Sequence, residues 1–183
     1  MIERTEKALE RLGTDYVDCM MIHSADNSEI ITDKAFHAAM KTLKRQGKVK
    51  YVGVSCHGNN WAYAPKENLE QVLMTAVNDG RFDVILLAYN FVNAEMAGRV
   101  LEACEKNNIG TVIMKSNPVY IYNMLDEGIK KRREAGKEIS EYTQNFYDKY
   151  KEMHAGAAEF FRKYGAVTEK ELSDAAIKYV LTD

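Results

Sequence analysis

The stretch Leu12-Gly13-Thr14-Asp15-Tyr16-Val17-Asp18-Cys19-Met20-Met21-Ile22-His23 closes a helix on a glycine, turns, and runs through apolar residues to end on a histidine. Three further apolar runs begin near Val49, Phe82 and Thr111 and also end on reactive or polar residues. Each run but the last is followed by a helix-like segment, at the spacing of one strand plus one crossover helix. The chain reads as four βα units.

Working outward from that stretch, residues 2–12 carry Ile2, Ala8, Leu9 and Leu12 at helical spacing, with Gly13 as the stop. A first strand is expected over 16–22. Thr32-Asp33 suits the cap of a helix through Ala35, Phe36, Ala39, Met40 and Leu43, closed by Gly47. Residues 51–55 form a second strand. Pro65 suits the first turn of a helix carrying Leu69, Val72, Leu73 and Ala76, and Asp79-Gly80 turns the chain into a third strand over 82–88. Asn93 is placed to cap a helix holding Met96, Val100, Leu101 and Cys104, which Asn107-Asn108 ends, and residues 110–114 supply the fourth strand.

Strands that are short, apolar on both faces and separated by helices belong to a parallel sheet covered by helices. A doubly wound sheet would advertise a nucleotide site by a Gly-x-Gly-x-x-Gly turn, and none occurs. Gly53 and Gly58 have the outer spacing of a phosphate loop, but Asn59 stands where its lysine belongs, so that match is coincidental. In a barrel of βα units the chemistry gathers at the C-terminal strand ends. Here those ends read His23, then Ser55-Cys56-His57, then Tyr89-Asn90, then Met114-Lys115-Ser116. Four polar strand ends favour the barrel. The segment 117–165 interrupts the repeat: Ile139, Tyr142, Phe146, Tyr150, Met153, Ala157, Phe160 and Tyr164 mark the apolar face of one long helix. A final helix runs from Thr168-Glu169 through Leu172, Ala175, Ala176, Tyr179 and Val180.

With 183 residues, 46% of them hydrophobic, the chain can bury a sizeable core, and one domain is the better expectation. Lys and Arg number 25 against 27 Asp and Glu, with no basic stripe, so capture of nucleic acid has no support. No apolar run reaches the about 20 residues that span a bilayer, and Met1-Ile2-Glu3-Arg4 opens a polar helix, so no membrane contact and a cytoplasmic location are expected. Cys19, Cys56 and Cys104 are odd in number and form no Cys-x-x-Cys pair, which fits a reducing compartment.

Three motifs carry a family resemblance: Arg11-Leu12-Gly13-Thr14-Asp15-Tyr16-Val17-Asp18 with Ile22-His23, Gly47-Lys48-Val49-Lys50-Tyr51-Val52-Gly53-Val54-Ser55, and Phe82-Asp83-Val84-Ile85 with Tyr89-Asn90. The chain resembles the aldo/keto reductases, (β/α)8 barrels that bind NADPH at the C-terminal face and reduce carbonyls without a metal, using Tyr, Lys, Asp and His. Cys56-His57-Gly58 and Met114-Lys115 look closest to a bacterial branch whose members often carry an added iron–sulfur region. The likeness covers about residues 1–115 and resumes at the last helix. In the family the Asp, Tyr and Lys lie on units before the histidine strand, and the groups for the cofactor's adenine end lie after the last helix. The resemblance therefore implies the middle of a barrel: an α/β fold, a partial (β/α)8 TIM barrel of four parallel strands with helices, plus a helical insertion over 117–165 within a single domain 1–183.

On that resemblance His23 matches the catalytic histidine, a neutral imidazole that donates to the substrate carbonyl oxygen. Its alternative is a hydrogen-bonded histidine at a strand end. Ser55 matches a residue that binds the nicotinamide carboxamide, Lys115 is read as facing a cofactor phosphate, and Tyr89 and Asn90 as lining the substrate. The chain departs from the family at Cys56, where Asn is common, at Leu86, where Gln is common, and at Met114, where an aromatic ring often stacks. Cys19 and His23 share a strand face, but four residues at about 3.3 Å rise separate them by about 13 Å, too far for one metal ion. No metal is expected. Cys56 beside His57 suggests a thiolate nucleophile, but adjacent strand residues point opposite ways. The leading expectation is an NADPH- or NADH-dependent carbonyl reductase as a fragment, inactive alone, acting on a small-molecule carbonyl. Its rivals are a Schiff-base lyase using Lys115 and a noncatalytic half-barrel that self-associates through its open strand edges.

Overall fold

Parallel neighbours cannot be joined by a tight turn, so each strand here hands the chain to a helix that carries it back to the start of the next. The computed structural model describes residues 1–58 and 65–182. Asn59 of the rejected phosphate-loop match lies outside the described residues, as does the side chain of Phe160. In chain order the elements are α1 (Ile2–Leu12), β1 (Val17–Ile22), α2 (Ser28–Ile31), α3 (Lys34–Arg45), β2 (Val49–Cys56), α4 (Leu69–Asp79), β3 (Val84–Ala88), α5 (Ala94–Lys106), β4 (Gly110–Met114), α6 (Pro118–Glu134), α7 (Glu141–Arg162) and α8 (Glu169–Thr182). The four strands form one parallel sheet in the order β1-β2-β3-β4. Val17 pairs with Val49 and Ile22 with Val54, and Gly53 pairs with Val84 and Cys56 with Leu87.

The chain divides into two compact units. The first comprises Met1–Gly58, Pro65–Leu87 and Met96–Val112. Its core joins the inner faces of α3, α4 and α5 to the sheet: Met40, Leu43, Val52, Val54, Val72, Leu73, Ile85, Leu87, Val100 and Cys104 are all buried. β2 is covered on both faces from Val52 to Cys56. The Val52 amide donates to the Asp83 carboxylate at 2.8 Å, and Lys44 meets the same oxygen at 2.8 Å. His37, unremarked in the sequence, is buried in α3 with Nε2 2.7 Å from the Ile31 carbonyl.

Local signals explain most element ends. Gly13 and Gly80 take the left-handed conformation at the ends of α1 and α4, where a side chain would be strained. Asp33 caps α3 by accepting from the Phe36 amide. Pro65 does not open α4. The Asn68 side chain accepts from the Gln71 amide while Gln71 reaches back to the Asn68 amide, and this capping box starts the helix at Leu69. Asn93 does not cap α5 either, because its side chain is spent on the end of β3. In α1 the buried residues are Thr5 and Leu9, while Leu12 is exposed.

The second unit comprises 88–95 and 113–182. The long helix read from the stripe 139–164 is α7, and a second helix, α6, precedes it in the same segment. One cluster of α6 and α7 buries Leu125, Ile129 and Tyr147, and another buries Val119, Ala158 and Leu172. The stripe read from the sequence flanks the inward face of α7, with Ile139, Phe146 and Tyr150 packed against the first buried cluster. Thr143, Tyr147 and Ala158 are buried, whereas Tyr164 is 76% exposed. Tyr147 turns inward because its hydroxyl donates to Asp126 on α6 at 2.5 Å, which satisfies a phenol that could not otherwise be buried cheaply. Asp126 also meets Lys130 at 2.6 Å, and its carboxyl is held below the usual range by the Lys130 and Tyr147 hydrogen bonds. The Tyr147 phenol is raised in turn, chiefly by Asp126. His154 stacks on Tyr122 of α6 with centroids 4.3 Å apart.

Two predictions follow from this packing. A Cβ at position 53 would sit 2.6 Å from Met21 Cε and 2.9 Å from the Val84 carbonyl oxygen, so Gly53→Ala should destabilise by about 1–3 kcal/mol in urea unfolding. The second concerns His154, whose pKa lies below its ordinary 6.5, through burial first, with Arg162 acting in the same direction and Glu169 opposing. Because the unfolded chain binds this proton at the higher pH, stability present above about 6.5 is lost as pH falls through the folded value. His154→Phe should flatten that part of the pH dependence, read as the difference between the two proteins' unfolding midpoints at pH 7.5 and 5.5.

Candidate functional site

In the first unit the ends of β1 and β2 are tied together by one hydroxyl. Immediately after exposed His23 the backbone turns left-handed at Ser24, with φ 56. The Ser24 amide donates to Ser55 Oγ at 2.7 Å, and Ser55 Oγ donates to the Ile22 carbonyl at 3.4 Å. The Ala25 amide then donates to the Ser55 carbonyl at 2.8 Å. A non-glycine residue persists in this backbone region only when its surroundings over-determine it, and Ser55, 1% exposed, is that surrounding. A hydroxyl has one proton and two acceptor lone pairs, so Ser55 Oγ keeps one lone pair after these two bonds. His57 sets its ring edge-on to His23, with centroids 5.9 Å apart. The sequence offered His57 only as a partner for Cys56, and no local pattern marks its approach to His23.

In the second unit the ends of β3 and β4 are tied by amides. The Tyr89 amide donates to the Met114 carbonyl at 3.1 Å, and Asn90 Nδ2 donates to the Lys115 carbonyl at 2.8 Å. Lys115 is exposed and left-handed, with φ 53. Tyr89 is buried, its ring 6.4 Å from that of Tyr179. Asn90 is buried too, its Oδ1 accepting from the Val92 amide at 2.9 Å. The residues singled out from the sequence thus fall into two local groups, His23 with Ser55, and Tyr89 and Asn90 with Lys115.

Cys19 and Cys104 show no activation. Burial raises the Cys104 thiol, and burial followed by the Asp83 charge raises Cys19, so both are held away from the thiolate. Cys56 is buried. Among the described residues, no group of three or more His, Cys, Asp or Glu could hold a metal ion, and no helix is long and apolar enough to cross a membrane.

The strand motifs, the parallel sheet and its polar strand ends all agree with a comparison of the whole sequence. The model of the family described as Aldo/keto reductase family matches residues 1–183. The chain belongs to the aldo/keto reductases. This aldo/keto reductase chain is 26% identical over 128 residues to the NADH-specific methylglyoxal reductase of Escherichia coli (strain K12), covering 69% of the chain and 33% of that protein. It is 29% identical over 143 residues to the Aldo-keto reductase YhdN of Bacillus subtilis (strain 168), covering 78% and 36% respectively. It thus spans about a third of the length of the curated relatives it matches. Among solved structures, the glycerol dehydrogenase AKR11B4 from Gluconobacter oxydans aligns with a TM-score of 0.53 at 18% identity, over 98% of this chain and 50% of that one. That likeness is one of fold.

The Ser55 tie makes a direct prediction. Ser55→Ala removes the acceptor of the part-buried Ser24 amide, and an unsatisfied buried donor costs about 1–3 kcal/mol. Thermal unfolding should register that loss, and amide exchange at Ser24 should accelerate by at least tenfold. Unchanged exchange would show that the turn needs no brace.

Proposed function

We propose that this aldo/keto reductase chain supplies the histidine-bearing part of a nicotinamide-dependent carbonyl reductase site. The observation that carries the reading is the fixed turn at Ser24: it sets His23 at the end of β1 on an exposed position next to a serine with a lone pair to spare. The nicotinamide, when bound, supplies the hydride that a carbonyl carbon accepts. His23 donates a hydrogen bond to the carbonyl oxygen as negative charge grows there, lowering the barrier by electrostatic stabilisation. Ser55 accepts from the carboxamide N–H with its remaining lone pair, since its proton points to Ile22. Lys115 offers its charge to a cofactor phosphate, and Tyr89 and Asn90 belong to the substrate side.

These residues suit a dinucleotide in chemical type: an amide acceptor and an exposed cation. A relative of 26% identity is named for NADH and methylglyoxal, which supports a small aldehyde or ketone as the substrate class and leaves NADH and NADPH both to be tried. The Schiff-base rival asks for a desolvated lysine, and the exposure of Lys115 lends it no support.

Titration of the purified chain with NADPH and with NADH, followed by nicotinamide fluorescence, should show saturable binding. Lys115→Met and Ser55→Ala should each weaken it about tenfold, equivalent to about 1.4 kcal/mol. Addition of methylglyoxal to the cofactor-saturated chain should shift the His23 imidazole resonances. Absence of saturable binding would overturn the cofactor role, and an unmoved His23 would overturn its role toward the carbonyl.

A further inference from the structure

The left-handed turn at Lys115 is held by an arrangement that the proposed chemistry does not use. Where β3 ends, two asparagine side chains close a ring of hydrogen bonds. Asn90 Oδ1 accepts from the Val92 amide at 2.9 Å and Asn90 Nδ2 donates to the Lys115 carbonyl at 2.8 Å. Asn93 Oδ1 accepts from the Asn90 amide at 2.9 Å, and Asn93 Nδ2 donates to the Ala88 carbonyl at 2.8 Å. Both amides therefore use a donor and an acceptor at once, which no carboxylate or hydroxyl of similar size reproduces in the same geometry. Asn90 is 3% exposed, so water does not substitute for its own partners.

We infer that Asn90 and Asn93 are positioning residues for Lys115: by locking its carbonyl against β3 they hold the left-handed backbone at 115, and so present the lysine side chain in one direction to a diphosphate-bearing ligand. Lys115 stands at φ 53, a conformation that side chains with a Cβ avoid. Relaxation of that residue to the right-handed region would swing its Cα–Cβ bond and send the long side chain elsewhere. The bond from Asn90 Nδ2 to the Lys115 carbonyl opposes that relaxation, and the two Asn93 bonds keep Asn90 in place. In this account Asn90 acts on the anion contact through the Lys115 backbone. The inference rests on the reading of Lys115 as a phosphate contact.

The test uses the whole chain with inorganic pyrophosphate and, separately, NADPH as probes. Asn90→Asp keeps the acceptor for the Val92 amide but replaces the donor with an oxygen facing the Lys115 carbonyl. It should weaken pyrophosphate binding about tenfold and move the Lys115 Cα and Cβ chemical shifts off their left-handed values. In a Lys115→Met background the same change should cost no further affinity, a coupling that a merely structural loss would not produce. Asn93→Ala serves if Asn90→Asp does not fold, and should act in the same direction. Binding of pyrophosphate but not NADPH would mark a free-phosphate site with the same positioning; binding of both would mark the dinucleotide's own diphosphate. If Lys115→Met leaves both affinities unchanged, or neither probe binds, the phosphate reading fails and the inference with it. If Lys115→Met weakens binding while Asn90→Asp and Asn93→Ala do not, or if Asn90→Asp is as damaging without the lysine, the positioning inference alone is overturned.

Discussion

From Val52 to Cys56, β2 has no spare surface, and much of the first unit is arranged around that constraint. A strand covered on both faces and paired along both edges must find every partner within the protein, because an orphaned amide or carbonyl there is as costly as a lost hydrogen bond. Its neighbours supply them. β1 and β3 provide the ladders, and the Asp83 carboxylate takes the Val52 amide where the ladder with β3 has not yet begun. Lys44 sits on that carboxylate, so the charge is balanced at the point where it enters the sheet. At the other end, Ser55 takes over where the ladder with β1 runs out.

That last handover connects the fold to the chemistry. A parallel strand must leave its sheet abruptly to enter a crossover, and the direction it takes decides where the final side chain points. Here two strands leave through left-handed residues that are not glycine, Ser24 after β1 and Lys115 after β4. Ser24 is held by Ser55 of the neighbouring strand, and Lys115 by Asn90, two residues past the end of β3. Glycine would have made the same turns without strain. A serine and a lysine there need support, and the support brings rigidity to the turn after exposed His23 and to Lys115 itself.

Much of this was legible in the sequence wherever the cause is local. The fourth strand matches residues 110–114, because an apolar run bounded by Asn107-Asn108 and a lysine leaves no other register. Gly13 and Gly80 and the Asp33 cap also follow from neighbours within four positions. Long-range competition hid the rest. Pro65 loses the start of α4 to the reciprocal Asn68–Gln71 pair, and Asn93 loses its capping role to a carbonyl at the end of β3. The burial of Tyr147, one position past the stripe, comes with a polar contact to Asp126, 21 positions away, which an apolar stripe cannot reveal. At the site, strand-end reasoning brought out His23, Ser55, Tyr89, Asn90 and Lys115, but the bond from Ser24 to Ser55 spans 31 positions and leaves no trace in spacing.

Gly53 has a consequence of another kind. The space where its side chain would stand is filled by the thioether of Met21 from the adjoining strand, with the Val84 carbonyl closing the other side. The two residues are therefore a single heritable unit. A lineage can shorten position 21 and leave a void, but enlarging position 53 first costs stability, and even a trimmed neighbour leaves the Val84 carbonyl of β3 in the way. Sequence drift among descendants of this protein should be slow at 53 and one-directional at 21, with the order of substitutions set by geometry before selection on activity has any say.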